Sequence, residues 1–162
     1  MSDEFFQQLK LFQGLTPAQR DLLSPLFIPC DYYADSVIFE QGDPAEYLFA
    51  VVVGDVMVSF KPEDGPPITV THAQPGDIVG WSAALGSRRY TSSAICTTYT
   101  QLLRVSGADL RSLLTQHPDT GVIVLDRLAA IIAERLNNTH TLVVSLLELG
   151  LRNNVYGQTE DR

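Results

Sequence analysis

Between residues 27 and 106 a turn interrupts the chain every few positions, and this rhythm limits the folds open to it. The turns read Gly42-Asp43-Pro44, Gly54-Asp55, Glu63-Asp64-Gly65-Pro66-Pro67 and Pro75-Gly76-Asp77. Glycine permits left-handed backbone, proline presets φ, and aspartate hydrogen-bonds its own turn. The pieces between them, at 36–39, 47–53, 56–60, 68–72, 91–98 and 101–105, are rich in β-branched and aromatic residues and too short for stable helices. Many short strands at this spacing predict an antiparallel sandwich or jelly-roll barrel.

The period changes on both sides of this region. Residues 3–26 read as helical, with a stop at Gly14 and a new start at Thr16-Pro17, an N-cap followed by proline at the first helical position. Ser106 can cap a helix over 107–116, and His117-Pro118 breaks it and begins another. That last helix, over 118–149, would reach roughly 48 Å, longer than one small barrel needs. Leu125, Leu128, Ile132, Arg135, Thr139, Leu142, Leu146 and Leu149 follow one another at alternating steps of three and four, the spacing of a coiled-coil seam. The class expected is therefore α+β. Residues 1–117 form a β-roll with flanking helices, 118–150 a long helix that pairs with its copy in a homodimer, and 151–162 a polar tail. The competing reading folds the helix back on its own core.

A chain of 162 residues, 45% of them hydrophobic, can bury the core of one domain. Its net charge of −8 opposes any generic attraction to nucleic acid or to an anionic membrane. The acidic start Met1-Ser2-Asp3-Glu4 does not read as a signal peptide. No apolar run approaches the roughly 20 residues of a membrane span, so a cytoplasmic protein is expected. Cys30 and Cys96 lie far apart, and His72, His117 and His140 share no ligand spacing, so no metal site is expected.

The chemistry concentrates in residues 75–94. A turn at Pro75-Gly76-Asp77 leads through Ile78-Val79 to Gly80, where the backbone can approach a ligand closely. Small residues follow, Ser82-Ala83-Ala84, able to start a short helix with free N–H groups. Then come Arg88 and Arg89, Tyr90, and the Thr91 hydroxyl. This order resembles the phosphate-binding cassette of cyclic nucleotide-binding domains of the bacterial catabolite-activator/FNR-like family. Residues 38–49, with Gly42-Asp43, resemble that family's hairpin before its core strand. Val51-Val52-Val53-Gly54-Asp55-Val56 resembles the adjoining stretch, and residues 128–139 resemble its long dimer helix.

The resemblance implies a ligand site at Gly80, Trp81, Ser82, Ala83, Arg88, Arg89, Tyr90, Thr91, Asn138 and Thr139. In that family the residue after the cassette glycine is usually Glu, whose carboxylate accepts the ribose 2′-hydroxyl; here it is Trp81, a donor with no acceptor. The family's phosphate-pairing Arg falls at Tyr90, which carries no charge at neutral pH. Arg88 or Arg89 can supply that charge from the loop or stand as solvated loop residues. Thr139 can contact a base or set the register of the helix seam. Trp81 can stack on a base or fill the pocket itself.

The function expected is a stand-alone sensor, not an enzyme, in which cyclic AMP, cyclic GMP or a cyclic dinucleotide in the cassette shifts the long helix. The alternative is a ligand-free interaction or dimerisation module with a protein partner and a pocket filled by its own side chains. Transcription-factor relatives append a helix-turn-helix, which takes roughly 25 residues. Twelve residues follow Gly150, so no DNA binding is expected. Gly80-Trp81-Ser82-Ala83-Ala84 also imitates a hydrolase nucleophile elbow, but that motif needs a strand–turn–helix corner on a parallel sheet, and the chain has no alternating βα pattern.

Overall fold

The computed structural model describes residues 3–157, with side chains described over 6–138 and at 140, 141, 144, 145 and 147–151. Two four-stranded antiparallel sheets face each other. One has the order β1-β8-β3-β6 and the other β2-β7-β4-β5. The strands are β1 (Ile28–Tyr32), β2 (Val37–Phe39), β3 (Tyr47–Val53), β4 (Val56–Phe60), β5 (Ile68–Ala73), β6 (Ile78–Val79), β7 (Ser93–Cys96) and β8 (Thr100–Ser106). The sandwich expected from the turn rhythm is present, with two strands the sequence pattern did not announce. Pro29 and Asp31 interrupt the apolar pattern of β1, and β6 has two residues.

The helical segment before the sheets is shorter and more broken than expected. It comprises α1 (Asp3–Gln8), α2 (Pro17–Leu23) and two single 3-10 turns at Lys10–Phe12 and Ser24–Leu26. Thr16 caps α2 as predicted, its hydroxyl accepting from Gln19 N–H at 3.2 Å while the Gln19 side chain accepts from Thr16 N–H at 2.9 Å. Ser106 caps α3 (Gly107–Gln116) by accepting from Asp109 N–H at 3.3 Å. α4 begins at Pro118 and continues to Gly157, so residues 151–157, assigned above to a tail, are helical.

The two-residue alternation of β3 and β8 divides the apolar residues into two cores. Leu48, Ala50, Leu103 and Val105 face the helices, beside Phe6, Phe12, Leu23, Leu110, Val124 and Leu128. Phe49, Val51 and Leu102 face the opposite sheet, beside Phe39, Val58, Tyr90 and Ala94. α4 lies over the helical core. Its Arg127 Nε donates to Gln13 O at 3.0 Å. The predicted seam is split by this packing: Leu128 is buried in its own domain and Ile132 packs against the same core, whereas Leu125 remains half exposed. The side chains of Thr139, Leu142 and Leu146 lie outside the described residues.

Candidate functional site

The cassette begins where β6 runs into Gly80, at φ 78°. A Cβ there would sit 3.0 Å from Tyr47 O and 3.2 Å from a ring carbon of both Phe39 and Tyr90. Left-handed backbone and crowding together require glycine. A single 3-10 turn, Trp81–Ala83, follows. The Ala83 amide, expected to serve a ligand, instead donates to Gly80 O at 3.2 Å. The Ala83 carbonyl accepts from the Arg111 guanidinium of α3. Gly107, at the start of α3, lies so close that a Cβ there would overlap Ala83 O, and its amide donates to Glu46 O at 2.9 Å. The cassette backbone is thus clamped from behind by the first two turns of α3.

In front of it stand aromatic rings. Tyr90 is buried, its ring stacked on Phe39 with centroids 3.8 Å apart and planes 14° from parallel. Its hydroxyl donates to Tyr47 O at 2.6 Å and accepts from Tyr47 N–H at 3.1 Å. Burial pushes the phenol's pKa up, against the backbone hydrogen bond to Tyr47, so the ring stays neutral at physiological pH. Trp81 is covered by Arg135 of α4, whose guanidinium carbon lies 4.6 Å from the indole ring centroid. The same guanidinium donates to Ile78 O at 3.1 Å. Desolvation lowers the Arg135 pKa, opposed by the charges of Asp77 and Glu134. Lys10 meets Asp77 at 2.5 Å on the same flank.

Phe39, Val58, Val79, Gly80, Trp81, Ser82, Tyr90, Thr91, Ser92 and Arg135 line what space is left, a cavity of about 10 Å³. That is room for roughly one water molecule, not for a nucleotide. Of the residues expected at a ligand site, Gly80, Trp81, Ser82, Tyr90 and Thr91 are brought together here. Arg88 and Arg89 are not. Both are exposed, and Arg89 donates to Gly42 O at 2.6 Å across the neighbouring hairpin. Asn138 is exposed on a neighbouring small cleft with Lys10, Thr71 and Asp77, which meets the cassette cavity at Arg135. The residues missed by the sequence reading are Arg135, Phe39, Arg111 and Gly107. The first sits in the predicted seam, and no local pattern marks the other three.

The sequence model of the family described as "Cyclic nucleotide-binding domain" matches residues 29–117. The chain is 25% identical over 145 residues to a CRP-like cAMP-activated global transcriptional regulator of Mycobacterium tuberculosis, covering 90% of this chain and 63% of that protein. It therefore spans less than two thirds of that relative's length. The crystal structure of Thermus thermophilus catabolite activator protein superposes with a TM-score of 0.71 at 30% identity, over 86% of this chain and 63% of that one. A cyclic nucleotide-binding domain from Methylobacillus flagellatus superposes with a TM-score of 0.77 at 22% identity, over 88% and 80%.

Proposed function

This chain belongs to the cyclic nucleotide-binding domain family, and from that premise we propose that it is a regulatory domain whose cassette is occupied by its own side chains and whose output element is α4. The observation that carries the reading is the cavity of about 10 Å³ left between the Phe39–Tyr90 stack and the Trp81–Arg135 stack. A cyclic phosphate needs charged or N–H donors, and a buried neutral phenol already bonded to Tyr47 supplies neither. Family membership implies a cyclic nucleotide ligand. The residues at 81 and 90 oppose that ligand here.

The output surface is the outer face of α4. Leu125 (51% exposed), Leu136 (61%) and Leu147 (62%) stand clear of the domain. With Ala129, Ile132, Ala133 and the cassette-loop residue Leu85, Leu125 and Leu136 border an apolar groove of about 310 Å³. A second copy of the chain is the occupant proposed for it, since Leu125, Leu136 and Leu147 recur every 11 residues and so line one face of α4, which a partner helix can cover. A second reading, a ligand-driven sensor, is favoured by the Trp81–Arg135 contact itself. Any molecule that displaces Trp81 must also disturb a residue of α4.

Calorimetric titration of the full chain with cyclic AMP, cyclic GMP and cyclic di-GMP separates the two. The closed-cassette reading expects no saturable heat up to about 1 mM ligand, which corresponds to less than about 4 kcal/mol of binding. It also expects the double change Trp81→Glu and Tyr90→Arg to introduce binding. Saturable micromolar binding by the unmodified chain would establish the sensor instead.

A further inference from the structure

The Phe39–Tyr90 stack has two sides. Behind it lies the filled cassette. In front, at the mouth of the barrel between the two sheets, is a cavity of about 310 Å³, within the size range of small-molecule sites. Its walls are aromatic and aliphatic: Tyr32, Ile38, Phe39, Tyr47, Phe49 and Tyr90. Its rim carries the exposed acids Asp43 and Glu46. Arg104 of β8 also lines it.

Arg104 occupies an unusual position for a charge. It is the residue after next from Leu102, so the pleat turns it toward the inter-sheet core, opposite Phe49 in the β3–β8 register. Its guanidinium carbon lies 4.8 Å from the Tyr47 ring centroid. Its Nε is buried and has no hydrogen-bond partner among the described residues. Neither acid at the rim closes an ion pair with it; among the described residues the ion pairs are Lys10–Asp77 and His72–Asp55. Its field reaches the neighbouring side chains. Burial raises the Cys30 thiol and the Tyr32 phenol, and in both the Arg104 charge acts in the opposite direction. Arg104 thus brings to the wall of an open cavity a guanidinium that no acid pairs among the described residues.

We infer that the barrel-mouth cavity binds a small aromatic carboxylate, its carboxyl group on Arg104 and its ring among Tyr32, Phe39, Tyr47 and Phe49. The planar guanidinium matches a carboxylate in a two-point contact, and the ring walls match a one- or two-ring body. Asp43 and Glu46 repel a second negative charge, which selects a monoanion over a phosphate ester or a nucleotide. The site shares the Phe39–Tyr90 wall with the cassette, and Tyr47 carries both the Arg104 contact and the Tyr90 hydrogen bonds. The inference is independent of whether the cassette itself binds a cyclic nucleotide.

The test is calorimetric titration of the full chain with 1-naphthoate and with its neutral analogue 1-naphthamide. Saturable one-to-one binding of 1-naphthoate is expected, with the amide weaker by roughly tenfold to a hundredfold, the range of one charge-assisted hydrogen-bonded pair. Arg104→Gln should lose at least about tenfold in 1-naphthoate affinity while melting cooperatively. Glu46→Gln, an exposed position whose change leaves the fold alone, should tighten 1-naphthoate several-fold by removing the like charge at the rim; it keeps the test decisive should Arg104→Gln not fold. Amide NMR shifts on binding should centre on Tyr32, Tyr47 and Arg104. Absence of saturable 1-naphthoate binding up to about 5 mM, equal affinity for the amide, indifference to Arg104→Gln or Glu46→Gln, or shifts centred on Trp81 and Arg135 would each overturn the assignment.

Discussion

The contact that couples the cassette to α4 can be removed without emptying the space it fills. Arg135→Met keeps a flexible apolar stem against Trp81 and deletes the charge and the donors. The structure sets the terms of the loss. The guanidinium stack on the indole, at 4.6 Å, contributes about 0.5–2 kcal/mol. The charged hydrogen bond to Ile78 O, at 3.1 Å, contributes about 1.5–3 kcal/mol. Against these stands the desolvation of the guanidinium, which lowers its pKa and which the methionine does not incur. The net destabilisation expected is about 1–3 kcal/mol. At this chain length that corresponds to a fall in Tm of roughly 2–12 °C, measured at fixed protein concentration because any self-association makes Tm depend on it.

A double-mutant cycle isolates the pair. Trp81→Leu, Arg135→Met and the combination, measured by urea unfolding, should give a coupling energy of about 0.5–2 kcal/mol. Trp81 is the sole tryptophan of the chain, so its fluorescence reads the contact directly. Arg135→Ala, which uncovers the indole, should raise its quenching by acrylamide. A coupling energy below about 0.3 kcal/mol, indistinguishable from additivity, would refute the claim that this stack ties the cassette to the long helix.

Two further outcomes follow from other parts of the molecule. Leu125→Glu combined with Leu136→Glu should give monomers by light scattering where the unmodified chain gives dimers; a monomeric unmodified chain at about 100 μM would remove α4 as the output element. Burial alone would raise the Asp55 carboxyl, but hydrogen bonds from Thr97 (2.6 Å) and His72 (2.7 Å), with the His72 charge, hold its pKa below the ordinary value. A depressed carboxyl stabilises the fold fully above its unfolded pKa, and that contribution disappears as the pH falls through the folded one. Asp55→Asn should therefore cost stability near pH 6 and progressively less between about pH 4 and pH 2, measured by urea midpoints. A stability difference independent of pH over that range would show that the carboxylate is not the stabilising form.

Much of this protein is written in short-range chemistry. Gly42, Gly54 and Gly76 adopt the positive φ their turns require. Thr16 and Ser106 cap the helices that follow them, because a cap depends on residues three positions apart. The residues at 81 and 90 depart from the resembled cassette in the sequence alone. What no local pattern carries is the direction a side chain takes after packing. Arg135 obeys the spacing of a coiled-coil seam, yet the packing of α4 on its own domain stacks it on Trp81 and bonds it to Ile78 O. Arg88 and Arg89 are adjacent to the cassette in sequence, but the hairpin bridge of Arg89 with Pro44 holds them outside it. Gly107 and Arg111 meet Ala83 because α3 returns to the sheet behind β6, a contact between segments 24 or more residues apart. Arg104 reads as one polar position in an alternating strand; only the facing sheet makes it a charge inside a barrel. The turns, caps and strands come from energies acting over a few residues, whereas the filled cassette and the open barrel mouth come from contacts formed when two sheets and a helix close on one another.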